Sequence, residues 1–317
     1  KSQRDGDRRF LIARVPHTLD LCQHYGFDLG SWMKENLVDY VVPASPDRYF
    51  QFDIPLGEFL ELAGRTGSAC RVIAGPDSYR ATPSMYRAAM SNYYHMGQRD
   101  TYLFNFFTAR ADQREYYPFG DEDYALLRDL KSPVTLWGRP KHFMSAGWFP
   151  GRSLKLAEAA RPYHVDLYVG DDLPLGRAEN ILKTAHLQMA VQGLPVEAAL
   201  EVRLNGQLLP SDSAVRDGDQ FRFELTRILP VRGPNRVSVM ASRIEAPPTV
   251  TRVSRDCTER VSDTGFSVTP ERRLPPAPAM NRTEAMEGSQ FSSIRWTEGR
   301  SRSGISFWTG TRSSFSS

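Results

Sequence analysis

The sequence predicts an α/β region built on a parallel sheet, then an all-β region, then a terminal stretch without periodicity. Three observations carry this. Four short apolar runs begin at residues 10, 40, 71 and 102, at intervals of 30, 31 and 31, the length of a βα unit. Beyond about residue 155 the apolar period changes from 3.6 to 2. From about Pro247 onward Ser, Thr, Arg, Pro and Gly dominate, and the aromatic residues fall at no helical or strand period.

The four runs are Phe10-Leu11-Ile12-Ala13-Arg14-Val15, Tyr40-Val41-Val42-Pro43, Arg71-Val72-Ile73-Ala74-Gly75 and Tyr102-Leu103-Phe104-Asn105-Phe106-Phe107. Each is too short for a buried helix and rich in β-branched or aromatic residues, so each reads as a strand covered on both faces. A helical signal follows each one. Thr18 can cap a short helix ending at Gly26, and a second helix over residues 32–37 leads into the next strand. Asp53 precedes Ile54-Pro55 and a stripe of Phe59, Leu60, Leu62 and Ala63. Thr82-Pro83 pairs a capping residue with proline at the first helical position. Asp121-Glu122-Asp123 puts acids at the positive end of a helix through Leu126, Leu127 and Leu130. Strands and helices in this order require right-handed crossovers, and four such units make half of an eight-stranded barrel or a small open sheet.

Between Ser132 and Leu156 the pattern gives way to Trp137, Phe143, Trp148 and Phe149 interleaved with Pro133, Pro140 and Pro150, which predicts a domain junction over residues 139–154. Residues 163–169, 186–191, 221–225 and 236–240 then alternate as half-buried strands do. Asn205-Gly206, between Glu201-Val202-Arg203-Leu204 and Gln207-Leu208-Leu209, is a strong hairpin signal. Several short strands separated by turns predict a β-sandwich, jelly-roll-like, over residues 155–245. Residues 246–317 read as a disordered tail, or as a non-native one from an altered reading frame.

Composition excludes some function classes. With 40 basic and 37 acidic residues in 317, the net charge of +3 makes no case for nucleic acid. Cys22, Cys70 and Cys257 lie in different segments without metal-ligand or disulfide spacing, so neither a metal nor a cofactor is expected. No run approaches the roughly 18 apolar residues of a membrane span. Phosphate-loop, dinucleotide, nucleophile-elbow and zinc-protease motifs are absent. The start at Lys1, with charged residues leading straight into a strand, leads us to expect a fragment.

Leu11-Ile12-Ala13-Arg14-Val15-Pro16, Gly26-Phe27-Asp28, Trp32 and Leu37-Val38-Asp39-Tyr40-Val41-Val42-Pro43 together resemble a run in bacterial glycosyl-hydrolase-like TIM-barrel proteins distantly related to family 10. There it occupies the second half of the barrel. Glu201-Val202-Arg203-Leu204-Asn205-Gly206 and Gly233-Pro234-Asn235-Arg236-Val237-Ser238-Val239 are similar to the galactose-binding-like modules that follow such barrels. The likeness covers roughly residues 8–245. It implies strands five to eight of a (β/α)8 barrel over residues 1–138, with the N-terminal half of the barrel missing. It also implies a secreted or periplasmic protein acting on a poly- or oligosaccharide.

On that resemblance the site lies at the C-terminal ends of the strands, where one carboxyl protonates the leaving oxygen and a second acts as nucleophile or base. The acid would follow strand four, which this chain does not contain. Asp77 is the nearest match to the second role, although the family pattern more often has glutamate there; a turn cap before Thr82 is its alternative. Asp53 is the other candidate, against an N-cap before Ile54-Pro55. Arg14, His17 and Asn105 are placed to orient a ligand, with a buried ion pair open for Arg14 and a surface imidazole for His17. Tyr49, Tyr79 and Trp148 offer rings suited to sugar faces, or simply loop packing. A non-catalytic glycan-binding or cell-surface protein is the rival reading.

Overall fold

The computed structural model describes residues 3–4, 7–44, 50–78, 81–106, 124–145, 154–155, 161–191, 194–196, 198–241, 249–250 and 305–310, all within one compact unit. Its first half is a parallel sheet of β1 (Ile12–Pro16), β2 (Tyr40–Ala44) and β3 (Arg71–Val72), in that spatial order. Ile12 lies opposite Tyr40, and Tyr40 opposite Arg71. Hydrogen bonds from Ile73 N to Val41 O (3.0 Å) and Gly75 N to Pro43 O (2.8 Å) carry the ladder beyond β3.

The central strand behaves as an uninterrupted apolar run should, since Val41 and Val42 are both 0 % exposed. The first run does not. Phe10, Leu11 and Ile12 are 57, 54 and 51 % exposed, and among the described residues no strand pairs with the outer edge of β1. The fourth run, expected as a strand, contributes a single parallel bridge between Phe104 and Asp77. Asn105, at φ +57°, turns the backbone out of the extended conformation there.

Four helices flank this sheet. Thr18 caps α1 (Leu19–His24), its Oγ1 accepting from Leu21 N at 3.2 Å. Helix α2 (Leu29–Lys34) lies earlier than residues 32–37 because Asp28 caps it and Asn36, at φ +54°, stops the chain from continuing. Helix α3 (Leu56–Arg65) begins after Pro55 with no side-chain cap, so Asp53 is not its N-cap. Thr82 caps the longest helix, α4 (Pro83–His95), accepting from Met85 N at 3.3 Å. Two single turns follow, α5 (Leu126–Asp129) and α6 (Pro133–Leu136), the second closed by a reciprocal cap between Ser132 and Thr135.

The second half is antiparallel. One sheet orders Gln207–Leu208, Leu200–Leu204, Gly233–Ala241 and Tyr163–Val169; the other orders Ala214–Asp217, Gln220–Glu224, Thr184–Ala190, Ile305–Gly310 and Lys141–Met144. Val165, Leu167 and Val169 alternate inward on one, as Phe221 and Phe223 do on the other. Asn205 and Gly206 both take the positive φ of a type I′ turn between their strands.

Lys141–Met144 and Ile305–Gly310 lie where no strand was expected, as does Thr249–Val250, paired with Leu154–Lys155. Lys141–Met144 falls inside the predicted junction and is buried at every residue, so it shows no alternation to read. Ile305–Gly310 falls in the stretch read as a tail and pairs with Thr184–Ala190 on one side and Lys141–Met144 on the other.

Helix α4 ties the two halves together. The Asn92 amide donates to Phe52 O (2.9 Å) and Tyr168 O (3.1 Å), and its Oδ1 accepts from Gly170 N (2.7 Å). Beside it the fully buried Lys141 ammonium donates to Leu136 O and to Asp171 Oδ2, each at 2.6 Å, while Ser91 Oγ donates to the other Asp171 oxygen. Gly170 makes this approach feasible, because a Cβ there would lie 2.3 Å from Ser91 C and O. Both atoms are helix backbone and have no freedom to yield. Gly170→Ala is therefore expected to destabilise the fold by about 1–3 kcal/mol, read as a lower urea midpoint with an unchanged slope. An unshifted midpoint would contradict this account of the junction.

Candidate functional site

The parallel sheet brings three of the residues singled out from the sequence together at the C-terminal end of its strands. Gly75 starts the arrangement: a Cβ there would lie 2.5 Å from Val42 Cγ1, so only glycine lets the chain pass this close to β2. Two residues on, Asp77 is 3 % exposed and bridges to Phe104. The next residue after Phe104, Asn105, directs its Nδ2 to both Asp77 oxygens at 3.3 Å. Asparagine suits this point twice over, tolerating the left-handed backbone and carrying the donor.

Arg14 completes the group from β1. Its Cζ stands 4.0 Å over the centroid of the Phe104 ring, within cation–π range. Partial burial lowers the affinity of its guanidinium for the proton, and the negative charge of Asp77 works against that loss, followed by Tyr102. Arg14 keeps an exposed face and so remains in reach of a ligand.

Beneath these three lies a hydroxyl chain that the sequence did not reveal. Tyr86 OH donates to Ser78 Oγ, Ser78 Oγ donates to Phe104 O, and Ser78 N donates to the same carbonyl at 3.2 Å. The Tyr86 ring is 0 % exposed and packs edge-on against Phe50 and Phe106, with centroids 4.8 and 5.7 Å away. Burial pushes its phenol well above the ordinary range; the Ser78 contact opposes this and the Asp77 charge adds to it. Tyr86 thus stays a proton donor at any working pH. Phe106 in turn meets Tyr124 edge-on at 5.4 Å. The signal for Tyr86 was present but faint, namely its place four residues after the Thr82 cap.

The remaining sequence-selected residues lie elsewhere. His17 is half-buried on the loop leaving β1, between Pro16 and the Thr18 cap. Tyr49, Tyr79 and Trp148 lie outside the described residues. Asp53 keeps an exposed edge, yet the protein crowded around it desolvates its carboxyl and pushes the pKa up to about 6. Its charge is felt at Tyr93, whose hydroxyl donates to Gln51 O at 2.7 Å. Tyr93 is seven residues beyond Tyr86, about 10 Å along α4. Asp53 and Asp77 thus bear on different tyrosines of α4.

Among the described residues no group of three or more His, Cys, Asp or Glu could hold a metal ion. No helix among them is long and apolar enough to cross a membrane. Cys22 and Cys70 are buried thiols, burial pushing Cys22 up to about 11, and Cys257 lies outside the described residues. A pocket of about 510 Å³ lined by Leu19, Cys22, Phe27 and Leu62 is made by the helices and includes none of the site residues. Chemically, the strand-end group offers one buried carboxyl steered by an amide, with a guanidinium beside it. That combination can accept hydrogen bonds from hydroxyls, or serve as a base or nucleophile.

Compared with known proteins, the chain matches no protein-family model and no curated sequence.

The Asp53 environment gives a pH prediction. Its folded pKa of about 6 lies above the ordinary 3.8, so the folded state holds the proton more tightly than the unfolded chain. The stability this confers is fully present below 3.8 and is lost as pH rises through about 6. Asp53→Asn should show a flatter decline of thermal midpoint across that window than the parent chain. Parallel curves for the two would exclude the shift.

Proposed function

We propose that this chain is a carbohydrate-active protein whose site is the Asp77–Asn105–Arg14 group, acting on a poly- or oligosaccharide through carboxylate acid/base chemistry. The observation that carries the reading is a 3 % exposed carboxyl at the C-terminal end of parallel strands, held at both oxygens by one amide. An oriented, partly desolvated carboxylate beside a cation suits abstraction of a proton from a hydroxyl or water, or attack at an anomeric carbon.

In this reading the parallel sheet is half of a (β/α)8 barrel, and the antiparallel sheets form a galactose-binding-like sandwich. The exposed outer edge of β1 supports the first part, because Phe10, Leu11 and Ile12 stand where a further parallel strand would cover them. That strand would supply the second carboxyl. A secreted or periplasmic setting accompanies the same reading, since polymeric glycans are met there.

One observation favours a second reading. The described strand ends bring a single carboxyl into the group, and one carboxyl suffices to bind sugar hydroxyls without turning them over. Hydrolysis of a panel of soluble oligosaccharides by Asp77→Asn, in protein that includes the further strand, separates the two. The enzymatic reading expects a loss of roughly 10²–10⁴-fold in rate with binding retained, because only proton transfer or attack needs the ionisable oxygen. Retained hydrolysis would remove Asp77 from the chemistry. Binding without any hydrolysis by protein that includes the further strand would establish the second reading.

A further inference from the structure

We infer that Tyr86 is a positioning residue for Asp77, acting through Ser78 and the Phe104 carbonyl to set the contact between the Asn105 amide and the carboxyl. The inference rests on the proposed reading of Asp77 and adds to it the element that holds its geometry. Asp77 and Asn105 come from two chain segments joined by a single bridge, where neighbouring runs share a full ladder. One bridge is a poor guarantee of side-chain geometry. The Phe104 carbonyl is the point at which the segments are fastened, because it accepts from Ser78 N and from Ser78 Oγ. Asn105 is the very next residue.

Tyr86 acts on that fastening from the helix. Its donation to Ser78 Oγ uses an oxygen lone pair and leaves the serine hydrogen pointing at Phe104 O, so the chain has one direction. The helix fixes where the donor stands: Thr82 caps the first turn, and Tyr86 N bonds to Thr82 O at 3.0 Å. Phe50 and Phe106 hold the ring on two sides. A rigid helix thereby sets the position of a left-handed asparagine on a loop, through two hydroxyls and one carbonyl.

Tyr93 provides a matched control. It is also 0 % exposed on α4, and its hydroxyl donates to the Gln51 carbonyl, with the residue about 10 Å further along the helix axis. Tyr93→Phe removes an equivalent buried hydroxyl without touching the Ser78 link.

The readout is the Asn105 side-chain amide signal in ¹⁵N-labelled full-length chain, followed across a pH titration. In the parent chain its shift should follow ionisation of the carboxyl it contacts, and Asp77→Asn should abolish the response. Tyr86→Phe should reduce the response by about half or more, since the bond that orients the Ser78 hydroxyl toward Phe104 O is lost. Ser78→Ala breaks the same link from the other side and should act in the same direction, which keeps the test decisive if either variant folds poorly. Tyr93→Phe should leave the response unchanged. Equal responses in Tyr86→Phe, Ser78→Ala and Tyr93→Phe would overturn the inference. Failure of the proposed function is read separately, by hydrolysis that survives Asp77→Asn.

Discussion

The Asn92 side-chain amide is bonded to three backbone groups from two distant parts of the chain, and the arrangement of both halves depends on it. Its two N–H groups are spent on the Phe52 and Tyr168 carbonyls and its oxygen on Gly170 N. A buried amide left without such partners costs about 1–3 kcal/mol for each orphaned group, so the contact is costly to break. The Lys141–Asp171 pair next to it adds direction more than net stability, since desolvating two charges cancels much of their attraction. Removing one partner alone would strand the other charge. Neutral and ionic contacts together therefore specify where α4 meets the antiparallel sheets.

The same helix reaches the candidate site at its other end. Tyr86 and Asn92 lie six residues apart on α4, so a single rigid rod carries the junction and the fastening of the strand ends. Along that rod the chemistry changes character. At the junction the Asn92 amide and the Lys141 ammonium are buried and hydrogen-bonded. The strand-end group places a buried carboxyl near a partly exposed guanidinium.

The periodicity of the first 75 residues was legible because the β2 run is buried on both faces, and burial on both faces is what an uninterrupted apolar run encodes. The Phe10 run carries the same pattern but lies at an edge, since pattern reports the faces of a strand and not its neighbours. The fourth run pairs only at Phe104 and turns away at Asn105, whose left-handed φ no apolar pattern reveals. Lys141–Met144 was hidden for the opposite reason: a fully buried lysine looks like surface until its partner Asp171, 30 residues away, is in place. Asp77 and Asn105 were each selected from residue type and position, yet their 3.3 Å contact depends on two segments meeting in space. The link from Tyr86 through Ser78 depends on helix phase relative to the sheet, which is a tertiary property.

The proposed reading places sugars at the strand-end group and not on the antiparallel sheets. A crystal structure of the chain soaked with soluble oligosaccharides that it binds in solution tests this most directly. The account predicts sugar hydroxyls within hydrogen-bond distance of Asp77 or Asn105, with Arg14 at the rim of the bound ring. Density for the sugar confined to the faces of the antiparallel sheets, with Asp77 and Asn105 untouched, would contradict it.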